Sequence, residues 1–318
     1  MITLNAARRI GLSLSAAVLF STTAAGVSTL GAQEPPPSSF RFRVNVQLVL
    51  LSASVSTPDG RPVPELAQEA FEVYEDGELR PLRLFERQTA MPLQLVVLMD
   101  ASLSAAVELP AQKQAVARFL QRVARAEDAV AIYQLSGKNR SVADFSNDIT
   151  KLLTSVRAIR EGSGTALYDV LVEASEKLRA REGRRVVVVV SDGNDTTSKS
   201  NFQAALRALQ EAEASVFALV VRPIAGESGR SVRGEHTLIT LANLTGGRVF
   251  FPAGTGELDR FYRELDEFLR TQYLLGYQPA PPSFRQEFRR IEVRVRGGDY
   301  TVRHRQGYYS EPQTATTP

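Results

Sequence analysis

Leu93-Gln94-Leu95-Val96-Val97-Leu98-Met99-Asp100-Ala101-Ser102-Leu103-Ser104 runs from an almost wholly apolar segment straight into an acid and two serines. A continuous apolar run of this length suits a strand buried on both faces, as in a parallel sheet covered by helices on each side. Further along, Val186–Val190 is a second such run, and it too ends in polar residues, Ser191-Asp192-Gly193-Asn194-Asp195. Between and after them, Val116, Phe119, Leu120 and Val123 recur at helical spacing. So do Leu167, Val170, Leu171, Ala174 and Leu178, then Phe202, Ala205, Leu206 and Leu209, and finally Leu258, Phe261, Leu265 and Leu269. Ala129–Leu135 and Val216–Val221 supply further strands. Strands alternating with helices predict an α/β fold, a doubly wound, mostly parallel sheet with helices on both faces. In such sheets ligands sit beyond the carboxyl ends of the strands. The loops to examine are those after Met99, after Arg160 and after Val190.

On either side the rhythm changes. Val44, Val46, Leu48 and Leu50 alternate with polar residues, and Pro58-Asp59-Gly60 and Glu75-Asp76-Gly77 read as turns. Near the other end Ile291, Val293 and Val295 alternate with charged residues, and Gly297-Gly298-Asp299 predicts a hairpin into Tyr300–Arg305. Neither flank has enough strands to stand alone. The two are therefore expected to pair into one small discontinuous β-sandwich, with the α/β domain inserted between its halves.

Composition narrows the chemistry. The chain has 318 residues, no cysteine, two histidines and a formal charge of +3. Disulfides, iron–sulfur clusters, thiolate nucleophiles and Cys-ligated zinc are excluded. His236 and His304 are too far apart in sequence to suggest a multi-histidine metal centre, and His236, beside Glu235, reads as a surface residue. The charge is too small to argue for nucleic acid. Arg285–Arg305 is rich in arginine, which as a functional feature would be a strip for anionic polymer or lipid; the alternation of Arg294 and Arg296 favours the solvent face of a strand.

At the amino terminus, Arg8-Arg9 precede the apolar stretch Ile10–Phe20 and the small residues that follow it. This is the layout of a signal peptide, and the apolar stretch falls well short of the ~20 residues that span a bilayer. The expected organisation is a signal peptide over 1–33, a Pro-rich linker over 34–39, and β-type residues 40–90. The α/β domain follows over 91–271, then β-type residues 272–310 and a tail over 311–318. A periplasmic or secreted protein without an integral span follows from that reading.

The three loops carry the one constellation with specific chemistry. Asp100, Ser102 and Ser104 end the first buried strand, Thr165 follows Gly162-Ser-Gly164, and Asp192 ends the valine strand. Two carboxylates and three hydroxyls are hard oxygen donors of the kind magnesium takes. A simpler reading has Asp100, Ser102 and Asp192 capping helices, but capping does not call for five oxygens to converge. Gly162-Ser-Gly164 lacks the Lys-Ser/Thr ending of a phosphate-binding loop.

Asp100-x-Ser102-x-Ser104, then Thr165, then Asp192 resembles the metal-ion-dependent adhesion site of the von Willebrand factor type A domain. Ser191-Asp-Gly-Asn194 and Leu241-Ala-x-x-Thr245-Gly-Gly-Arg-Val-Phe250 add to the likeness over roughly 91–271. The flanks, with Phe71-Glu-Val-Tyr-Glu-Asp-Gly77, Tyr273-Leu-Leu-Gly-Tyr277 and Gly307-Tyr-Tyr309, resemble an exported subfamily abundant in Acidobacteria. The resemblance implies Mg2+, with Mn2+ or Ca2+ as substitutes. Ser102 and Ser104 would be direct ligands, Thr165 a ligand engaged on binding, and Asp100 and Asp192 direct or water-mediated. It implies a non-enzymatic module whose bound cation takes an acidic side chain from a protein partner. Ala105 and Ala106 stand where some relatives carry acids for an adjacent site, so a second metal is not supported. Two other classes compete. A metal-dependent hydrolase would have only Asp195 or Glu161 near enough to act as a base, and a purely structural part would assemble through β-edges. In some relatives ligand capture moves the last helix, here about Leu258–Thr271.

Overall fold

The computed structural model describes residues 48–87, 91–136, 140–220, 231–281 and 283–310. The expected signal peptide, linker and tail, and the expected strand residues Val44–Gln47, lie outside them.

The amino-terminal flank forms β1 (Val49–Ser56), β2 (Phe71–Glu75), β3 (Glu78–Arg80) and β4 (Leu82–Arg87). The centre follows as β5 (Leu93–Met99), α1 (Leu109–Val123), β6 (Ala129–Gln134), β7 (Ser141–Ser146), α2 (Ile149–Ala158), α3 (Leu167–Arg179) and β8 (Arg184–Ser191). It continues through α4 (Phe202–Glu211), β9 (Ser215–Val220), α5 (Val232–Thr245), β10 (Val249–Phe250) and α6 (Leu258–Arg270). The carboxyl-terminal flank adds β11 (Tyr273–Tyr277), β12 (Phe288–Val295), β13 (Thr301–Arg303) and β14 (Gly307–Tyr309).

The central sheet has the order β10-β9-β8-β5-β6-β7, parallel throughout except for β7 at one edge. Every residue of β5 is buried, as its unbroken apolar run requires. Its side chains alternate between two layers. Leu93, Leu95, Val97 and Met99 pack with α1, α2 and α6, whereas Val96 and Leu98 pack with α3, α4 and α5. The helical faces read from the sequence are the ones buried: Val116, Phe119, Leu120 and Val123 on α1, and Leu167, Val170, Leu171, Ala174 and Leu178 on α3.

The flanks pair with each other. One sheet has the order β13-β1-β11-β4, the other β14-β12-β2-β3, so each combines strands from both ends of the chain. Their shared core holds Leu51, Ala53 and Val55 from one sheet, and Phe71, Val73, Ile291 and Val293 from the other. Of the expected strand Val44–Leu50, the described residues Val49 and Leu50 belong to β1, which continues to Ser56. One expectation needs correction. The Gly297-Gly298-Asp299 turn does not make a hairpin, because β12 pairs with β2 and β14 while β13 crosses to the opposite sheet and pairs with β1. The Val293 N–H donates to His304 Nε2 (3.1 Å), a side chain standing where a hairpin would offer a carbonyl.

The arginines of 285–305 are largely spoken for. Arg289 is buried against Glu75, Arg294 pairs with Glu292, Arg296 with Glu72 and Arg305 with Glu213.

This β-module sits at the amino edge of the central sheet. Arg184, at the start of β8, donates to Gln272 Oε1 (2.8 Å), and Gln272 Nε2 donates to Ser54 Oγ (3.2 Å). Gly246 caps α5 at φ 81°, and a Cβ there would stand 2.4 Å from the His304 carbonyl carbon. Next to it the Leu244 carbonyl accepts from Gln306 N (3.1 Å) and the Gly247 carbonyl from Arg303 Nη1 (3.2 Å). The carboxyl edge, where a ligand site belongs, therefore lies at the opposite pole.

Candidate metal site

The ends of β5 and β8 lie side by side, since Met99 pairs with Val190 and the Asp100 N–H donates to the Val190 carbonyl (2.8 Å). Both strands turn polar at the same level, which brings the Asp100 and Asp192 loops together. Asp100 is 3% exposed and firmly held. Its Oδ1 accepts from the Ser102 N–H (2.9 Å), and its Oδ2 from the Ser191 hydroxyl (2.8 Å). Ser191 Oγ in turn accepts from the Gly193 N–H (3.1 Å). Asp192 Oδ1 accepts from the Asn194 N–H (2.9 Å). Each aspartate thus ties up its own loop, and a carboxylate has lone pairs to spare after one such bond per oxygen.

The Thr165 loop joins from the other side. Gly162 N donates to the Ala101 carbonyl (2.9 Å), and Ser102 bridges to Gly162. Thr165 itself is pinned by the third loop. Its N–H donates to Thr196 Oγ1 (2.8 Å), and its carbonyl accepts from the N–H groups of Thr196 (2.8 Å) and Thr197 (3.0 Å). Gly164, at φ 70°, leaves room for that latch, because a Cβ there would stand 2.5 Å from Thr197 Cγ2. Among the described residues no hydrogen bond reaches Thr165 Oγ1 or Asp192 Oδ2. Ser102 is buried like Asp100 and Thr165. Ser104 belongs to a short 3-10 turn, Leu103–Ala105, and its side chain lies outside the described residues.

The electrostatics are one-sided. Burial pushes the Asp192 carboxyl above its ordinary range, and the charges of Asp100 and Glu235 push it the same way, against the Asn194 N–H. Among the described residues neither Asp100 nor Asp192 forms an ion pair. Two neighbouring, largely enclosed carboxylates that have no basic partner among the described residues fit a divalent cation. The other expected donors, Ser102, Ser104 and Thr165, are hydroxyls rather than further acids, and no group of three or more His, Cys, Asp or Glu converges among the described residues. The capping alternative fails for Ser102, whose side chain makes no cap hydrogen bond to the turn it precedes. Asp195, one of the two candidate bases for a hydrolase, is engaged elsewhere. It accepts from the Ser198 hydroxyl (2.6 Å) and from Tyr168 N (3.4 Å). Glu161 is exposed.

The supporting roles of four residues, Ser191, Thr196, Thr197 and Glu235, escaped the sequence reading. Ser191 is the last residue of β8, and nothing local marks its hydroxyl as Asp100's partner. Glu235 lies over forty residues beyond Asp192, and only the packing of α5 brings its charge near. That packing is tight, since a Cβ on Gly193 would stand 2.3 Å from the Gly234 carbonyl oxygen.

Residues 94–264 match the von Willebrand factor type A domain. No curated protein matches the chain. Among solved structures, von Willebrand factor type A from Catenulispora acidiphila is 14% identical, with a TM-score of 0.47, over 85% of this chain and 74% of its own. A conserved hypothetical protein, BatB, from Bacteroides thetaiotaomicron is 16% identical, with a TM-score of 0.44, over 56% of this chain and 100% of its own. The vWF domain of the type V pili tip protein Mfa5 from Porphyromonas gingivalis is 12% identical, with a TM-score of 0.44, over 56% of this chain and 95% of its own. Among the described residues no helix is long and apolar enough to cross a membrane.

Proposed function

The chain belongs to the von Willebrand factor type A domain family, and from that premise we propose that it is an exported, metal-dependent protein-binding module of the periplasm or the cell exterior. Asp100, Ser102, Ser104, Thr165 and Asp192 would hold Mg2+, or Mn2+ or Ca2+ in its place. The cation would supply an electrophilic coordination position that an acidic side chain of a partner protein fills. The protein's part is to orient the donors. Ser191 fixes Asp100, and the Thr196–Thr197 turn fixes Thr165. The observation that carries the reading is the pairing of Asp100 with Asp192 in a largely enclosed site where, among the described residues, no ion pair neutralises either of them. Enclosure strengthens every charge interaction inside it.

A non-enzymatic role is supported by the same surroundings, because Asp195, one of the two candidate bases, is engaged in its own loop. The signal-peptide reading of residues 1–33 and the likeness of the flanks to an exported acidobacterial subfamily both support a location outside the cytoplasm. The test is a Mg2+ titration of the full chain by calorimetry, followed by affinity capture from the native envelope fraction in Mg2+ or EDTA. Wild type should bind Mg2+ and retain a partner that both EDTA and Asp100→Ala release. Capture indifferent to both would replace this reading with structural assembly through β-edges, and turnover of a phosphate ester would revive the hydrolase.

A further inference from the structure

Few large hydrophobic side chains stand exposed among the described residues, and they are not scattered. Leu79, Phe284 and Phe288 belong to the β-module. The other four, Leu103 (69%), Val107 (80%), Val232 (67%) and Phe251 (39%), all lie at the carboxyl edge of the central sheet. Leu103 and Val107 follow β5, Val232 opens α5 after β9, and Phe251 follows β10. Val232 is two residues from Gly234, whose backbone touches the Asp192 carbonyl. In the sheet order β10-β9-β8-β5-β6-β7, these residues flank the metal site on its β8–β9–β10 side and on the β5 loop itself. The Ala101–Val107 segment carries no charge at all. On the β6 side the rim is polar instead, with Arg160, Glu161 and Ser163 exposed.

A cation offers the same coordination position to every surface carboxylate, so it cannot by itself choose a partner. Choice has to come from the rim. Solvent-exposed apolar side chains gathered at one pole of an otherwise charged surface mark an interaction surface. Burying one Leu or Val side chain there is worth roughly tenfold in affinity. Arg233, exposed beside Val232, has the sign that an acidic partner complements.

We propose that Leu103, Val107, Val232 and Phe251 form an apolar ledge at the rim of the metal site, contributed by the loops after β5, β9 and β10. The partner is then a protein segment that presents an acidic side chain with a bulky apolar residue immediately beside it. This rests on the metal-dependent reading above and names the chemistry of the segment that the site takes. The acid engages the cation, the apolar neighbour lies on the ledge, and the polar half of the rim faces away from the contact.

The test selects a random peptide library displayed on phage against the full immobilised chain in Mg2+, with elution by EDTA. Enriched peptides should carry Asp or Glu next to Leu, Ile, Met or Phe. A synthetic peptide of the enriched sequence should bind roughly tenfold or more weakly to Leu103→Ser/Val107→Ser and to Val232→Ser, with Mg2+ affinity unchanged by calorimetry. Ser141→Ala, exposed on β7 at the carboxyl end of β6 and outside the ligand loops, should stay within about twofold. Val232→Ser decides the matter if the loop double variant loses Mg2+, because Val232 is outside the ligand loops. Acidic peptides with random neighbours, or unchanged affinity in Val232→Ser, overturn the ledge and leave the metal-dependent reading intact. Peptides without an acid, or none released by EDTA from a chain that binds Mg2+, overturn both.

Discussion

The backbones of Gly193 and Gly234 are in direct contact. A Cβ on Gly193 would stand 2.3 Å from the Gly234 carbonyl oxygen, and one on Gly234 would stand 2.5 Å from the Asp192 carbonyl oxygen. The loop carrying Asp192 is thereby set against the first turn of α5, which caps at its far end with Gly246 against His304 and Arg305 of the β-module. A helix of 14 residues, about 21 Å long, runs from one pole to the other.

Gly234→Ala puts two effects in opposition. In a helix interior Ala is favoured over Gly by about 1 kcal/mol. Here its methyl would enter the Asp192 backbone, and overpacking of that kind costs about 1–3 kcal/mol. The clash should win, because its partners are backbone atoms that no side-chain rotation can move. Urea unfolding should show a net loss of stability, and calorimetry a weaker Mg2+ site. A variant as stable as wild type would mean that α5 yields and that the contact does not hold the loop.

Ser191→Ala tests the support beneath Asp100. The hydroxyl donates to Asp100 Oδ2 at 2.8 Å and accepts from the Gly193 N–H, so its loss frees one carboxylate oxygen and one buried amide together. Partners of this kind typically change metal affinity by about 10- to 100-fold. Mg2+ affinity should fall within that range while the fold persists by circular dichroism. Unchanged affinity would mean that Asp100 is held adequately by the Ser102 N–H.

Proton and cation should compete at Asp192. Burial first, then the charges of Asp100 and Glu235, raise its pKa in the metal-free chain. Between the ordinary carboxylate value and the raised one, the folded state binds more protons than the unfolded state. Metal-free stability therefore falls as pH rises through that window, by at most about 1.4 kcal/mol per pH unit. Mg2+ needs the deprotonated form, so below the raised value its affinity should drop by up to roughly tenfold per pH unit, and above it the dependence should level off. Asp192→Asn should bind Mg2+ weakly and lose this part of the slope. An unaltered slope in Asp192→Asn would place the titrating group elsewhere.

These residues also mark how far the sequence could be read. The place of Asp100 and Asp192 at the sheet's carboxyl edge was legible because each follows a strand buried on both faces. The place of Thr165 beside them was legible through its glycine-rich loop. Ser191 was not, because its role depends on the register of β8 against β5. Gly234 and Glu235 were not, because their neighbours lie forty residues away. The pairing of the flanks followed from their shortage of strands, but the fate of the Gly297-Gly298-Asp299 turn did not. A glycine-rich turn between two alternating segments looks the same whether the second strand returns to the first or crosses to the facing sheet. Here the His304 ring, which occupies the Val293 N–H, accompanies the crossing.

Glu75 is the residue on which the two flanks converge. It is fully buried on β2, and its carboxylate accepts from the Tyr277 hydroxyl (2.9 Å), the Tyr308 hydroxyl (2.8 Å) and the Ala280 N–H (2.8 Å). Arg289 Nη1 adds an ion pair at 3.3 Å, so β2 is tied to β11, β12 and β14 through one side chain. Glu75→Ala would strand the Arg289 guanidinium, itself almost wholly buried, without its counter-charge, a change that typically costs about 3–5 kcal/mol. Glu75→Gln keeps an acceptor for the tyrosines and should cost less. The chain has no tryptophan, so near-ultraviolet circular dichroism in urea would report chiefly on its tyrosines, of which Tyr273, Tyr277 and Tyr308 lie in the β-module. Their signal should be lost at lower urea in Glu75→Ala than in wild type, with Glu75→Gln between them. If Glu75→Ala unfolded within about 1 kcal/mol of wild type, water would have to reach Arg289 in its place, and the carboxylate would not be what joins the two ends of the chain.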